Sequence, residues 1–164
     1  MSKRSHQKIC LAASVGGHLQ ELLQLRTVYE QYEHFYVVND DLILPPAMQG
    51  RTYFIRHSER DLVALWNLWE AFRIFLRERP GYLISTGAGL AVPLALVARL
   101  FGARILFIET FSAISRPSLT GRLMYRLAHR FVYQWEQLRR FYPRGEYAGA
   151  IFGFCHGRQR DAAV

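Results

Sequence analysis

Residues Ile9-Cys10-Leu11-Ala12-Ala13 form a short uncharged apolar run, followed at once by Ser14-Val15-Gly16-Gly17-His18 and then by leucines at 19, 22 and 23. An apolar run of this length bounded by glycines reads as a buried strand, and the leucine spacing after it reads as a helix. A strand that turns through paired glycines into a helix leaves backbone N–H groups free at the helix start, where a phosphate can dock. His18 is held at the same place, in position to move a proton. This single unit constrains the chain to a layered α/β architecture and points to a phosphorylated substrate.

The rest of the chain repeats the alternation. Strands are expected near 8–14, 35–39, 52–56, 82–86, 104–109 and 130–134, and helices near 19–31, 60–79, 90–101, 118–128 and 135–141. Such alternation predicts a mostly parallel sheet flanked by helices, a Rossmann-like α/β fold. One domain over residues 1–152 is expected, with residues 153–164, which lose periodicity, as a flexible tail. The glycine and polar residues fall where strands are expected to end: Gly16-Gly17-His18, Asn39-Asp40-Asp41, Ser85-Thr86-Gly87-Ala88-Gly89, Glu109-Thr110-Phe111-Ser112 and Gln134-Trp135. In open parallel sheets ligands bind beyond the carboxyl ends of the strands, so these loops are expected to converge on one crevice.

The formal net charge of +8 over 164 residues favours an anionic partner. Nucleic acid is not that partner, because no reading helix or stacking platform of a known kind is present. Two cysteines, Cys10 and Cys155, make no disulfide framework and suit a reducing compartment. No apolar stretch follows the basic start (Lys3, Arg4, Lys8), which argues against a secretory signal. The longest run free of charge, Ala88 to Ala98, contains Pro93 and is far short of the roughly 20 residues of a spanning helix.

Both common nucleotide fingerprints fail. Asp40 lies 23 residues after Gly17, near the spacing of a ribose-binding acid, but the first turn is not Gly-x-Gly-x-x-Gly. No Gly-Lys-Ser/Thr follows, so a P-loop is absent as well, and an oxidoreductase with a nicotinamide cofactor is disfavoured. No cofactor is expected. No metal is expected either, since no Asp-x-Asp motif appears and Asp40-Asp41 and Asp61 are not spaced as ligands.

Glu109 closes the apolar strand Ile105-Leu106-Phe107-Ile108 and is expected at the sheet rim as a base, a sugar-hydroxyl acceptor or a structural partner. In the segment 61–79 the polar residues Asn67, Glu70, Arg73 and Arg77 form one narrow stripe, and nearly everything else is apolar, including Trp66 and Trp69. Such a helix is either sandwiched in a core or presses apolar surface against a partner or a lipid. Arg122, Arg126 and Arg130, at four-residue steps, are expected along one helical edge. Together with Arg116 they suit anionic lipid head groups or a substrate diphosphate.

On four motifs in order, the chain resembles the acceptor-side subunit of two-part glycosyltransferases, the asparagine-linked-glycosylation protein fourteen family with its bacterial capsule and exopolysaccharide relatives. The motifs are Ser14-Val15-Gly16-Gly17-His18, Ser85-Thr86-Gly87-Ala88-Gly89 with Pro93, Phe107-Ile108-Glu109-Thr110-Phe111, and Val132-Tyr133-Gln134-Trp135. The resemblance covers about residues 8–152. It implies the N-terminal, acceptor half of a B-type glycosyltransferase; the peptidoglycan N-acetylglucosaminyltransferase carries a similar glycine-glycine-histidine loop in its acceptor half.

By that resemblance, Ser14, Gly16, Gly17, Thr86, Gly87, Gly89 and Arg116 are expected to meet the acceptor and its diphosphate, with His18 and then Glu109 as the base. The nucleotide-sugar lobe is missing, so a separate subunit is implied to hold a UDP-sugar. The acceptor is implied to be a polyprenyl-diphosphate glycolipid. Eukaryotic members carry an N-terminal membrane-spanning anchor. Here the first strand is expected by residue 8, so docking to an anionic membrane surface is expected to fall to Trp66, Trp69, Arg73 and Arg77. The expectation is thus a heteromeric transferase subunit, peripheral on the cytoplasmic face of the inner membrane. The competing expectation is a non-catalytic recruiter or activator of a complete glycosyltransferase.

Overall fold

The five residues of strand β1 (Ile9–Ala13) are all buried, which requires cover on both faces of whatever sheet they join. The computed structural model, which describes residues 8–39, 48, 50–55 and 61–152 (in the long third helix, side chains only from residue 66), supplies both covers. Strand β1 is followed by α1 (Gly17–Gln24), a short helical turn α2 (Arg26–Tyr29), β2 (His34–Asn39) and β3 (Thr52–Ile55). Then come α3 (Asp61–Glu78), β4 (Tyr82–Gly87), α4 (Ala91–Leu100), β5 (Arg104–Ile108), α5 (Leu119–Leu127), β6 (Arg130–Tyr133) and β7 (Glu146–Tyr147). Among the described residues the strands form one sheet in the order β3-β2-β1-β4-β5-β6-β7, every pair parallel.

Strand alternation sorts the core into two layers. Cys10, Ala12, Val37, Leu83, Ile105 and Phe107 point to one face, where they meet Phe75 of α3, Leu94 and Ala98 of α4, and Met124 of α5. Ile9, Leu11, Ala13, Tyr36, Val38 and Ile84 point to the other, where Leu19 and Leu22 of α1 and Tyr29 of α2 cover them. The chain turns back at β1: strands 1 to 3 are laid down in one direction and strands 4 to 7 in the other. In such sheets the crevice opens at that reversal, between the carboxyl ends of β1 and β4.

The Rossmann-like expectation holds, with local differences. The helix expected over 19–31 starts at Gly17 and breaks at Leu25, whose φ of −84° and ψ of 9° leave the helical region. The helix expected over 135–141 is only a 3-10 turn, Glu136–Leu138, because N–H groups bond to carbonyls three residues back. Strand β7 had no sequence signal: it is two exposed residues, docked on β6 and held by the two-pronged Arg130–Glu146 pair. Arg130 therefore does not continue an arginine edge with Arg122 and Arg126; α5 ends at Leu127 and Arg130 begins a strand. Asp40, Asp41 and the tail from Gly153 lie outside the described residues.

Candidate functional site

The crevice at the β1/β4 reversal is built from the starts of two helices. After β1 the chain passes through Gly16 at φ 101° and ψ −139°, a conformation that a side chain would strain, and enters α1 at Gly17. Asn39 at the end of β2 steadies this turn, its Oδ1 accepting the N–H of Val15 at 3.0 Å. The N–H groups of Leu19 and Gln20 bond back to the carbonyls of Ser14 and Gly16, at 3.1 Å each. Those of Gly17 and His18 find no acceptor among the described residues. Gly16, Gly17 and Gly89 face open space, with no atom within 4 Å of where a Cβ would stand. The first turns of α1 and α4 carry no acidic residue, so the positive ends of both helix dipoles are uncompensated. Ser14 Oγ is shielded from solvent and has no hydrogen-bond partner among the described residues.

His18 is fixed against β4. Its Nδ1 lies 3.0 Å from the carbonyl oxygen of Thr86, and the Thr86 hydroxyl donates to the carbonyl of His18 at 2.6 Å. A carbonyl only accepts, so Nδ1 carries a proton in this arrangement, and the nitrogen that can give up or take a proton is Nε2. Gly87, at φ 123°, makes room for the ring: a Cβ there would stand 3.0 Å from both Cε1 and Nδ1 of His18. Thr86 and Gly87 were expected to contact the acceptor. The structure gives them another task, since both are buried and both serve to seat the imidazole.

Glu109 is corrected in the same sense. It is completely buried and its oxygens are taken: Oε1 accepts the N–H of Thr110 at 3.1 Å and the hydroxyl of Ser118 at 2.7 Å, and Oε2 accepts the hydroxyl of Tyr142. Ser118 in turn caps α5, accepting the N–H of Gly121 at 2.8 Å. A Cβ on Gly121 would stand 1.8 Å from Glu109 Oε2. Burial first, and then the bond to Glu109, pushes the Tyr142 hydroxyl far above its ordinary range. With no oxygen open to solvent, Glu109 organises the start of α5 instead of facing the crevice. Arg116 is exposed on the loop after β5.

The carboxylate that sequence reasoning missed is Glu21. It lies one helical turn beyond His18 and is only 3% exposed. The available signal was its place on the stripe shared by His18, Leu22 and Leu25, where a solvated acid does not belong.

On α3, Trp66 and Trp69 are each about half exposed, Trp66 Nε1 donates to Glu70 at 3.0 Å, and Arg73 and Arg77 are exposed. Trp69 and Phe72 stack 6.0 Å apart and, with Leu68, line a groove against Leu96, Val97 and Leu100 of α4. No helix among the described residues is long and apolar enough to cross a membrane, and no cluster of possible metal ligands occurs among them.

A family model described as "Oligosaccharide biosynthesis protein Alg14 like" matches residues 59–151. The chain belongs to this family. Among its relatives, the human "UDP-N-acetylglucosamine transferase subunit ALG14" is 23% identical over 185 residues, spanning 92% of this chain and 86% of that protein. The mouse protein of the same name is 29% identical over 186 residues, with the same coverage. Among solved structures, MurG of Acinetobacter baumannii superposes with a TM-score of 0.67 at 18% identity, over 78% of this chain and 41% of that one. The UDP-GlcNAc 2-epimerase of Methanocaldococcus jannaschii gives 0.67 at 16%, over 84% and 42%. This Alg14-like chain thus spans about two fifths of the solved structures it matches, and has the fold of one lobe of the B-type glycosyltransferase architecture.

Proposed function

We propose that the chain is the acceptor-binding, membrane-docking subunit of a two-component inverting glycosyltransferase, moving a sugar from a UDP-sugar to a polyprenyl-diphosphate-linked saccharide in bacterial polysaccharide assembly. Its relatives' naming as subunits of a UDP-N-acetylglucosamine transferase supports the transferase class. The observation that carries the reading is His18, with Nδ1 committed to Thr86 and Nε2 left open between two helix starts.

In this reading the acceptor's diphosphate rests on the N–H groups of Gly17 and His18 and near Gly89 at the start of α4, with Arg116 adding positive charge from its loop. His18 Nε2 takes the proton of the acceptor hydroxyl. That oxygen attacks the anomeric carbon from the side opposite UDP, the new C–O bond forms as the bond to UDP breaks, and UDP departs on the partner subunit. General-base help of this kind contributes about 10²- to 10⁴-fold, and holding donor and acceptor together across two subunits adds an orientation effect. Glu109 shapes the loop and takes no proton. The α3–α4 surface with Trp66, Trp69, Arg73 and Arg77 holds the subunit peripherally on the anionic cytoplasmic face of the inner membrane.

The test is turnover of a UDP-sugar by the chain together with its nucleotide-sugar-binding partner in native membranes. His18→Ala is expected to remove roughly 10²-fold or more. Unchanged turnover in His18→Ala, with loss on replacing Trp66 and Trp69, would instead make the chain a recruiter of a complete enzyme.

A further inference from the structure

Two carboxylates are buried among the described residues, Glu109 and Glu21, and the oxygens of Glu21 accept from three donors, all of them on other segments of the chain. Its Oε1 accepts the Thr110 hydroxyl at 3.0 Å, and the N–H of Phe111 is shared between both oxygens at 3.1 Å each. Its Oε2 accepts Gln134 Nε2 at 3.0 Å. Gln134 is itself 2% exposed and fully used: Nε2 also donates to the carbonyl of Glu109 at 2.9 Å, and Oε1 accepts the N–H of Ile151 at 2.8 Å. Burial raises the Glu21 carboxyl above its ordinary value, against the pull of the bonds from Phe111 and Thr110 and of the nearby His18. A buried, hydrogen-bonded charge of this kind is costly to place, and a well-packed apolar side chain could fill the same space.

The geometry points to Glu21 and Gln134 as a positioning pair that sets where His18 stands. Helix α1 is fastened twice, one turn apart. At His18 it is tied to β4 through Thr86. At Glu21 it is tied to the loop after β5 and, through Gln134, to the end of β6. Leu19 and Leu22 seat the helix on the sheet, and two polar ties to different segments add resistance to small rotations and slides of the His18 end. The same pair holds Phe111, whose ring packs on Trp135 at 5.0 Å and on Phe152 at 5.3 Å, so the start of the loop after β5 is fixed relative to the imidazole. Errors of about 1 Å in such placements cost about 10²-fold in rate.

This inference rests on the crevice being the transfer site, and the experiment separates the two. Initial rates are measured for the full chain in complex with its nucleotide-sugar-binding subunit, using UDP-N-acetylglucosamine and membrane-extracted polyprenyl-diphosphate sugar. The variants are His18→Ala, Glu21→Gln, Gln134→Met and the Glu21→Gln/Gln134→Met double. Glu21→Gln keeps an oxygen for Thr110 and Phe111 but sets an NH₂ against Gln134 Nε2. Each single change at 21 or 134 is expected to lower kcat about tenfold or more while KM for UDP-N-acetylglucosamine moves less than about twofold. The double is expected to be no worse than about threefold below the poorer single, because the two act as one unit. Amide exchange at Phe111 is expected to quicken in each single variant. Unchanged kcat, losses that multiply, or unchanged Phe111 protection would overturn the pair. If His18→Ala alone is silent, the transfer-site reading fails; if His18→Ala is inactive and Glu21→Gln is not, only the pair does.

Discussion

His18 and Thr86 exchange two hydrogen bonds across the sheet reversal, the ring Nδ1 donating to the Thr86 carbonyl and the Thr86 hydroxyl donating to the His18 carbonyl. The first bond fixes the tautomer and the second fixes the backbone that carries the ring. Replacing Thr86 by Val keeps the first and deletes the second. Thr86→Val is expected to cost about 1 kcal/mol of stability and to lower kcat of the assembled transferase severalfold, with Thr86→Ser restoring both. Thermal melts and initial rates on the three proteins check this. Equal rates in all three would show that His18 does not need the tie.

Gly121 answers a different question, because its neighbour is the buried Glu109 carboxylate. An added methyl would stand 1.8 Å from Oε2 and 2.6 Å from the Tyr142 hydroxyl oxygen. Glu109 cannot withdraw without pulling on Ser118, which caps α5, and Tyr142 cannot withdraw without giving up its bond to Glu109. Gly121→Ala is expected to destabilise by about 3 kcal/mol or more, and so to lower Tm by roughly 6 °C or more. A variant that melts with the parent would mean that α5 shifts freely.

At the opposite end of the sheet, Lys8 Nζ lies 2.5 Å from Glu78 Oε2, and the Tyr53 hydroxyl donates to Oε1. Burial works against the Glu78 charge, but the bonds from Lys8 and Tyr53 outweigh it and hold the carboxyl below its ordinary value of 4.5. A depressed folded-state pKa contributes stability that is present above the unfolded value and lost as pH falls through the folded one. The gap between the parent and Glu78→Gln is therefore expected to be about 1 kcal/mol at pH 7, to start closing as pH nears 4.5, and to close further below it. Urea melts at pH 7, 5, 4 and 3 read it directly. A gap that widens toward acid would reverse the assignment.

The exposed indoles of α3 make the membrane reading testable apart from catalysis. Trp66→Ser with Trp69→Ser is expected to reduce cosedimentation with vesicles containing anionic lipid about tenfold, while Tm stays within a few degrees because both rings are about half exposed. Undiminished cosedimentation would assign this face to something other than lipid.

The strand cores and the glycine turns were legible because unbroken apolar runs and positive-φ glycines are local properties, as Ile9–Ala13 and Gly16 show. The meeting of the loops after β1 and β4 was legible, and the bonds of individual side chains there were not. Glu109 and Glu21 are both acids beside apolar residues, and nothing local distinguishes the one that holds α5 from the one that holds α1. Their roles depend on donors distant in sequence, Tyr142 in one case and Gln134 in the other. Thr86 was misread for the same reason: its partner lies 68 residues away. Strand β7 exists only because β6 offers an edge to Glu146 and Tyr147.

The pairing of β1 with β4 joins Ile9 to Tyr82 and Leu11 to Ile84. With every strand pair parallel, no tight hairpin exists among the described residues to start the sheet, and the neighbours β1 and β4 are separated along the chain by the whole of β2, β3 and α3. Contacts this distant along the chain slow folding, because loop-closure entropy must be overcome before they stabilise anything. During synthesis β1 can pair with β2 and the glycine turn can bond to Asn39 as soon as β2 is made, but His18 has no Thr86 to hold it until β4 has left the ribosome. Strand β1, with five buried residues, therefore keeps one edge unpaired until β4 is made.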